Sequence, residues 1–279
     1  MAGLLRAHAG VDVEEVVVQT TGDLRRDVPI HAMGGQGVFV REVQVAVLEG
    51  RADLAVHSAK DLPPREAPGL RLAAVPARGD VRDALVGAAR RDLPAGARVA
   101  TGSVRRRAQL AWLRPDLTFV GLRGNIATRL DKVGGEIDAV VVAMAALDRL
   151  GLLSRVAEAL PVTEVLPQVA QGALAVECAA DRDDVSAVLG AIEDPVSRAH
   201  VDAERAFLDR LGGGCDLPVG ALATGSAANL TLQVMLASPD GRVLIRRTVS
   251  GPASDPAALG REAADDLLAA GGSHLLETA

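Results

Sequence analysis

Apolar and polar positions alternate along this chain with two periods, and the change of period marks its elements. Residues 12–20 (Asp-Val-Glu-Glu-Val-Val-Val-Gln-Thr) read as a strand, and 36–50 read as a helix with apolar residues at 39, 40, 43, 47 and 48. Gly50 closes that helix, and residues 53–56 (Asp-Leu-Ala-Val) form a short buried strand. Strand alternating with helix predicts a parallel sheet. From about residue 80 an apolar strand, a polar turn and a helix follow one another three times. Residues 98–100 lead into Thr101-Gly102-Ser103 and a helix over 104–113. Residues 117–122 lead into Arg123-Gly124-Asn125 and a helix through Lys132, and 138–144 lead into a helix ending near Leu150 and Gly151. Strands apolar on both faces are those of a sheet covered on both sides.

Residues 166–177 predict a further buried strand with a polar Gln-Gly entry, and helices follow over 181–211. After residue 215 the pattern changes. Residues 231–238 and 242–250 alternate as strands around the turn Pro239-Asp240-Gly241, and 255–270 is an amphipathic helix stopped by Gly271-Gly272. The last part is therefore a small α+β domain of about 80 residues, and the whole is an α/β protein.

Composition narrows the function. In 279 residues, 49% are apolar and 24% charged, as in a soluble globular protein. There is one Trp, three Phe and no Tyr, so the stacking platforms of single-strand nucleic-acid binders are missing, and the net charge of −6 disfavours a polyanion. Two cysteines, 178 and 215, make no disulfide framework and no zinc spacing, so no metal is expected. The opening lacks a signal-peptide pattern and no apolar run reaches membrane-spanning length, which predicts a cytoplasmic chain without a membrane partner. All positive charges but Lys60 and Lys132 are Arg, so a lysine kept beside Asp61 points to a need for a compact ammonium.

Candidate chemistry gathers at the predicted strand ends, where turn amides and helix N-termini collect anions. Arg105, Arg106 and Arg107 follow Ser103, Arg123 and Arg129 flank the next helix start, and Arg149 follows the third strand. Recurrence at successive strand ends points to a small ligand with several carboxylates or phosphates. The turn His57-Ser58-Ala59-Lys60-Asp61-Leu62-Pro63 follows a strand directly, and Asp61 reads equally as a catalytic carboxylate or an ordinary turn residue. His57 reads as structural and Cys178 as core. Gly34-Gly35-Gln36-Gly37 is only a superficial phosphate loop, lacking the Gly-Lys-Ser/Thr ending. Cys215 sits on the glycine run 212–214, where a thiol is accessible, and reads from the loop alone as either an idle thiol or an anchor.

Taken together, His57-Ser-Ala-Lys-Asp-Leu-Pro63, Thr101-Gly-Ser-Val-Arg-Arg106, Leu122-Arg-Gly-Asn-Ile-Ala-Thr-Arg129, Leu166-Pro-Gln-Val-Ala-Gln-Gly-Ala173, Glu204-Arg-Ala-Phe-Leu and Gly213-Gly-Cys-Asp-Leu-Pro-Val-Gly220 resemble the porphobilinogen deaminase (hydroxymethylbilane synthase) family, in its order and spacing. The resemblance implies two domains like type II periplasmic binding proteins around a cleft, with a small C-terminal domain. The first would be 1–76 with 168–190, the second 77–167 and the third 195–279. It implies a monomeric transferase of haem and porphyrin biosynthesis that joins four porphobilinogens, with ammonia loss, into hydroxymethylbilane. Cys215 would hold a dipyrromethane cofactor covalently, with Lys60, Asp61, Ser103, Arg105, Arg106, Arg123 and Gly124 around it. Asp61 would be catalytic, and Ser58, Arg129, Arg149 and Gln171 would bind the porphobilinogen and the growing pyrrole chain. No metal or nucleotide is implied.

Two departures from the family pattern carry expectations. The family opens with a strand and a turn of the form Thr-Arg-x-Ser-x-Leu-Ala, and this chain begins within the helix that follows, which predicts a slot beside the first domain's strands and unpaired backbone groups there. Ala32 and Gln36 stand where the family often has lysines, thinning the positive lining. The alternatives to an active enzyme are an inactive deaminase and a non-catalytic anion-binding protein of the same fold.

Overall fold

A computed structural model describes residues 1–19, 40–122, 124–213 and 217–277. Its strands form three separate sheets. The first contains β1 (Leu54–Ser58), β2 (Leu70–Ala74) and β8 (Leu174–Ala179) in the order β1-β8-β2. The second contains β3 (Asp83–Val86), β4 (Arg98–Ala100), β5 (Thr118–Val120), β6 (Ala139–Ala143) and β7 (Val156–Ala159) in the order β5-β4-β6-β3-β7. The third is an antiparallel meander of β9 (Val219–Gly225), β10 (Asn229–Ala237) and β11 (Leu244–Pro252). The described helices are α1 (Ala2–Ala9), α2 (Arg41–Leu48), α3 (Val104–Leu113), α4 (Ile126–Leu130), α5 (Met144–Arg149), α6 (Asp183–Leu189), α7 (Pro195–Arg210), α8 (Pro256–Leu267) and α9 (Ser273–Glu277).

The mixed α/β class and the small C-terminal sheet-and-helix domain match the sequence reading. The three strand-turn-helix units of the second sheet match it closely, with α3 occupying the expected 104–113. β4 pairs parallel with both β5 and β6, so the turns after these strands open at one end of the sheet. β3 runs antiparallel to β6 and β7.

The first sheet corrects the expectation of parallel pairing. β1 and β2 both pair antiparallel to β8, so they run parallel to one another but are not neighbours. The alternation rule fails because the central strand arrives from a distant part of the chain. The strand expected over 166–177 begins only at Leu174, since Ala170 (φ 58) and Gly172 (φ 89) turn the backbone before it. Residues 12–19 carry no strand, and residue 20 lies outside the described residues. The start of the expected helix over 36–50, the Gly34–Gly37 turn, Ala32 and Gln36 also lie outside the described residues; its described part is α2, closed by Gly50 at φ 70. A cavity of about 870 Å³ lies between residues 11–18 and β1, lined by Leu5, Val43, Leu54, Val56, Val185 and Val188 among others.

Two crossings join the first and second sheets, residues 75–82 outward and 160–173 back. They run side by side: the Gly79 amide donates to the Gly172 carbonyl at 3.2 Å. A Cβ on Gly172 would stand 2.8 Å from the Gly79 carbonyl oxygen, so only glycine permits that approach. α7 pins both crossings. Its N-terminus is set by Asp194, whose side chain accepts from the Ser197 amide at 2.7 Å, with Pro195 at the first helical position. From the middle of α7, the buried Glu204 accepts two hydrogen bonds from Arg78 (2.7 and 3.0 Å), one from the Ala170 amide (2.6 Å) and one from the Ala223 amide (2.8 Å). Arg78 also donates to the Gln171 carbonyl at 2.8 Å, so one ion pair ties both crossings to α7 and β9. α8 lies on α7 so closely that a Cβ on Gly260 would meet the Ala203 carbonyl oxygen at 2.3 Å. The contact buries Leu259, Ala263, Ala264 and Leu267 with Val201, Ala203 and Phe207 in the largest core.

Breaking this pair strands a buried guanidinium. Glu204→Gln is expected to lower the unfolding free energy by about 3–5 kcal/mol in urea titration, and an unchanged midpoint would contradict the role given to the pair.

Candidate active site

The site is built from three turns and one buried cluster. β1 ends at Ser58, paired with Leu174, and runs into a 3-10 turn over Ala59–Asp61. The Ala59 amide donates to the Ala173 carbonyl at 3.1 Å, and Gln168 Nε2 donates to the Lys60 carbonyl at 3.4 Å. The returning crossing therefore holds the Lys60-Asp61 turn from both sides. His57, one residue before the end of β1, is buried with its Nε2 3.1 Å from Glu177 Oε2, which also accepts from Gln44 at 2.8 Å. That is the structural place expected for His57. Cys178 is fully buried, also as expected.

At the parallel strand ends, Ser103 caps α3, accepting from the Arg106 amide at 3.4 Å, while its own amide donates to Thr101 Oγ1 at 3.1 Å. Gly124 adopts φ 105, a conformation in which an added Cβ would stand 3.0 Å from the Thr128 side chain. Its carbonyl accepts from Arg129 Nε at 2.8 Å, and Asn125 caps α4 through the Thr128 amide at 2.9 Å. Arg149, on the last turn of α5, is exposed and donates to the Gly172 carbonyl at 3.2 Å, beside Gln171. Arg123 and Cys215 lie outside the described residues.

Arg105, Arg106 and Gln171 converge on one residue that the sequence reading passed over. Asp83, at the start of β3, is wholly buried. Its Oδ2 accepts from Arg105 Nη2 at 2.8 Å, and its Oδ1 accepts from Arg106 Nε and Nη2 at 3.0 and 2.7 Å and from Gln171 Nε2 at 2.9 Å. Arg105 Nη1 donates to the Leu166 carbonyl at 2.6 Å and Arg106 Nη1 to the Val141 carbonyl at 3.2 Å. Gln109, also buried, takes both the amide (2.7 Å) and the carbonyl (2.9 Å) of Leu166. A signal was present in the sequence: a lone carboxylate opening the apolar run Asp83-Ala-Leu-Val86 needs a partner when buried.

Electrostatics set the character of these groups. Burial alone would raise the Asp83 carboxyl, but Arg105, Arg106 and Gln171 hold it well below the usual carboxylate range. Burial lowers Lys60; Arg105 and Arg106 lower it further, while Asp61 and Asp83 oppose the shift. Asp61 is open to solvent, yet the protein around it displaces enough water to raise its carboxyl, against the pull of Lys60 and His57. The turn thus presents an ammonium inclined to lose its proton beside a carboxylate inclined to gain one.

Residues 1–187 match the family described as "Porphobilinogen deaminase, dipyromethane cofactor binding domain", and residues 199–269 match "Porphobilinogen deaminase, C-terminal domain". The chain belongs to the porphobilinogen deaminase family. The porphobilinogen deaminase of Roseiflexus castenholzii is 49% identical over 277 residues, covering 98% of this chain and 91% of the relative. That of Syntrophus aciditrophicus is 46% identical over 280 residues, covering 99% and 92%. Among solved structures, the Bordetella pertussis BvgS periplasmic VFT2 domain is similar at 18% identity and a TM-score of 0.37, covering 73% of this chain and 77% of that one.

As a porphobilinogen deaminase, the chain is a transferase of tetrapyrrole biosynthesis that works with a dipyrromethane cofactor, and the family match favours this over a non-catalytic anion-binding protein. The residues present fit such a ligand. Lys60 and the exposed Arg149 place cations at the turns around the cluster, and the acetate and propionate groups that pyrroles carry are carboxylates such cations would take. No helix among the described residues is long and apolar enough to cross a membrane.

The raised carboxyl is directly measurable. As pH falls, Asp61 should take up its proton before an ordinary aspartate does, whose midpoint is about 3.9. Carboxyl-carbon NMR, with Asp61→Asn to identify the resonance, checks this, and a midpoint at or below the ordinary value would refute it.

Proposed function

We propose that the Lys60-Asp61 turn is the reaction centre of this porphobilinogen deaminase. The observation supporting it is the convergence, through one returning crossing, of that turn with α3's two guanidiniums and Gln171. Dipyrromethane, bound through Cys215, supplies the pyrrole end to which each new unit is joined.

In this reading Asp61 receives the pyrrole N–H of the incoming porphobilinogen. Its carboxylate then stabilises the positive charge that develops on the ring and its methylene carbon as the amino group leaves that carbon as ammonia. A carboxyl raised by its surroundings is suited to handing a proton to that departing amine. Lys60, Ser58, Ser103, Arg129 and Arg149 take acetate and propionate groups, together with Arg123 and the turn at Gly124. Arg105 and Arg106 lie deeper and supply a fixed positive field beneath them, with Gln171 joined to the same network. As more rings are added the number of carboxylates grows, which accounts for a bank of arginines distributed over several strand ends rather than one anion pocket.

The division into 1–76 with 168–190, 77–167 and 195–279 belongs to the same proposal, supported by the distribution of strands among the three sheets. So does a cleft of type II periplasmic-binding-protein form between the first two. A single cytoplasmic chain acting without nucleic acid is consistent with the acidic composition, the scarcity of aromatic residues and a small-molecule substrate.

Two measurements test the assignment. The purified chain should be heavier than its sequence by two pyrrole units in intact-mass spectrometry, and Cys215→Ser should lose that excess; equal masses would sink the anchor. Asp61→Asn should keep the excess mass and KM but lose roughly a hundred-fold or more in kcat. Near-normal turnover would remove Asp61 from catalysis.

A further inference from the structure

Asp83 bears one negative charge and contacts two positive ones, in a place closed to solvent. The cluster keeps a net charge of +1, the sum of Arg105, Arg106 and Asp83. Its geometry is over-determined: both guanidiniums are fixed at the carboxylate and again at backbone carbonyls of Leu166 and Val141. A resting ion pair needs one partner, and a guanidinium kept for direct capture of substrate is usually left with its fork open. Here Arg106 spends Nε and Nη2 on Asp83, and Arg105 spends Nη2 on Asp83 and Nη1 on the Leu166 carbonyl.

The same crossing that delivers Gln171 to Asp83 holds the Lys60 turn, through Gln168 to the Lys60 carbonyl and Ala173 to the Ala59 amide. Asp83 and Lys60 are thus fastened to one short segment from opposite sides. The charges that act on Lys60 are Asp61 of its own turn, Arg105 and Arg106 of α3, and Asp83 of β3; His57 of β1 faces Asp61.

We propose that Asp83 is a positioning residue of the reaction, clamping Arg105 and Arg106 in one orientation and offsetting their charge beside Lys60. The clamp keeps two guanidiniums close enough to make the site attractive to carboxylates. The offset keeps the neighbouring ammonium charged, so that it too can hold one. Without Asp83, Lys60 would face two uncompensated cations and give up its proton at lower pH. The proposal rests on the reading of Lys60 as a carboxylate-binding group, and its test reads the Lys60 proton separately from activity.

The chain has only two lysines, Lys60 and Lys132, so competitive acetylation followed by peptide mass spectrometry gives one titration curve for each, with Lys132 as internal reference. In the full-length holoenzyme, Asp83→Asn should move the Lys60 midpoint down by roughly half to one pH unit and leave Lys132 in place. The alkaline limb of kcat/KM should move down by the same amount. Arg106→Gln removes one of the two cations acting on Lys60 and should move the Lys60 midpoint upward, which keeps the test available if Asp83→Asn fails to fold. If Asp83 were only a structural tie, Asp83→Asn would lower the melting temperature with the Lys60 midpoint unmoved, and that outcome overturns the proposal. If the midpoint moves while the kcat/KM limb does not, Asp83 tunes Lys60 but Lys60 does not bind substrate in the charged form, and the reading of Lys60 fails instead.

Discussion

The arrangement of this molecule depends on Glu204. A carboxylate in the middle of a helix, closed to water, is tolerated only if its lone pairs are taken, and here the takers come from three places in the chain. Arg78 comes from the outward crossing and the Ala170 amide from the returning one; the Ala223 amide comes from β9, and the helix itself belongs to the C-terminal part. No apolar contact could define those positions as narrowly, because packing tolerates sliding and a bidentate guanidinium–carboxylate pair does not. Residues 170 and 171 are tied to this fixed point, beside the segment that holds the Lys60 turn and delivers Gln171 to Asp83.

Legibility in the sequence followed locality. Units whose strand, turn and helix are consecutive were readable: α3 begins where Ser103 supplies a cap, and β10 with β11 is announced by Pro239-Asp240-Gly241. Pairings made across long loops were not. β8 enters between β1 and β2 from a hundred residues away, so its antiparallel direction has no local signature, and short strands such as β2, β3 and β7 lack the length to show a period. The same limit applied to chemistry. The recurring arginines and the Lys60-Asp61 turn stood out as motifs, yet composition alone could not show that Arg105 and Arg106 are turned inward. Their partner, Asp83, is a single residue with no motif of its own, and only the fold brings it against α3.

Burial and charge work against each other at Lys60, Asp61 and Asp83. Loss of water pushes Lys60 toward neutrality and Asp61 toward protonation, while their mutual attraction restrains both. Asp83 escapes the same fate because two guanidiniums outweigh its desolvation.

The side-by-side course of residues 75–82 and 160–173 has a mechanical meaning. A single connecting segment would let the first and second sheets swivel freely, whereas two strips joined at Gly79 and Gly172 behave like a strap with width. Such a strap resists torsion about its own length and yields to bending across it. Relative movement of the two sheets therefore has one soft direction, bending across the strap, and one stiff one, torsion along it.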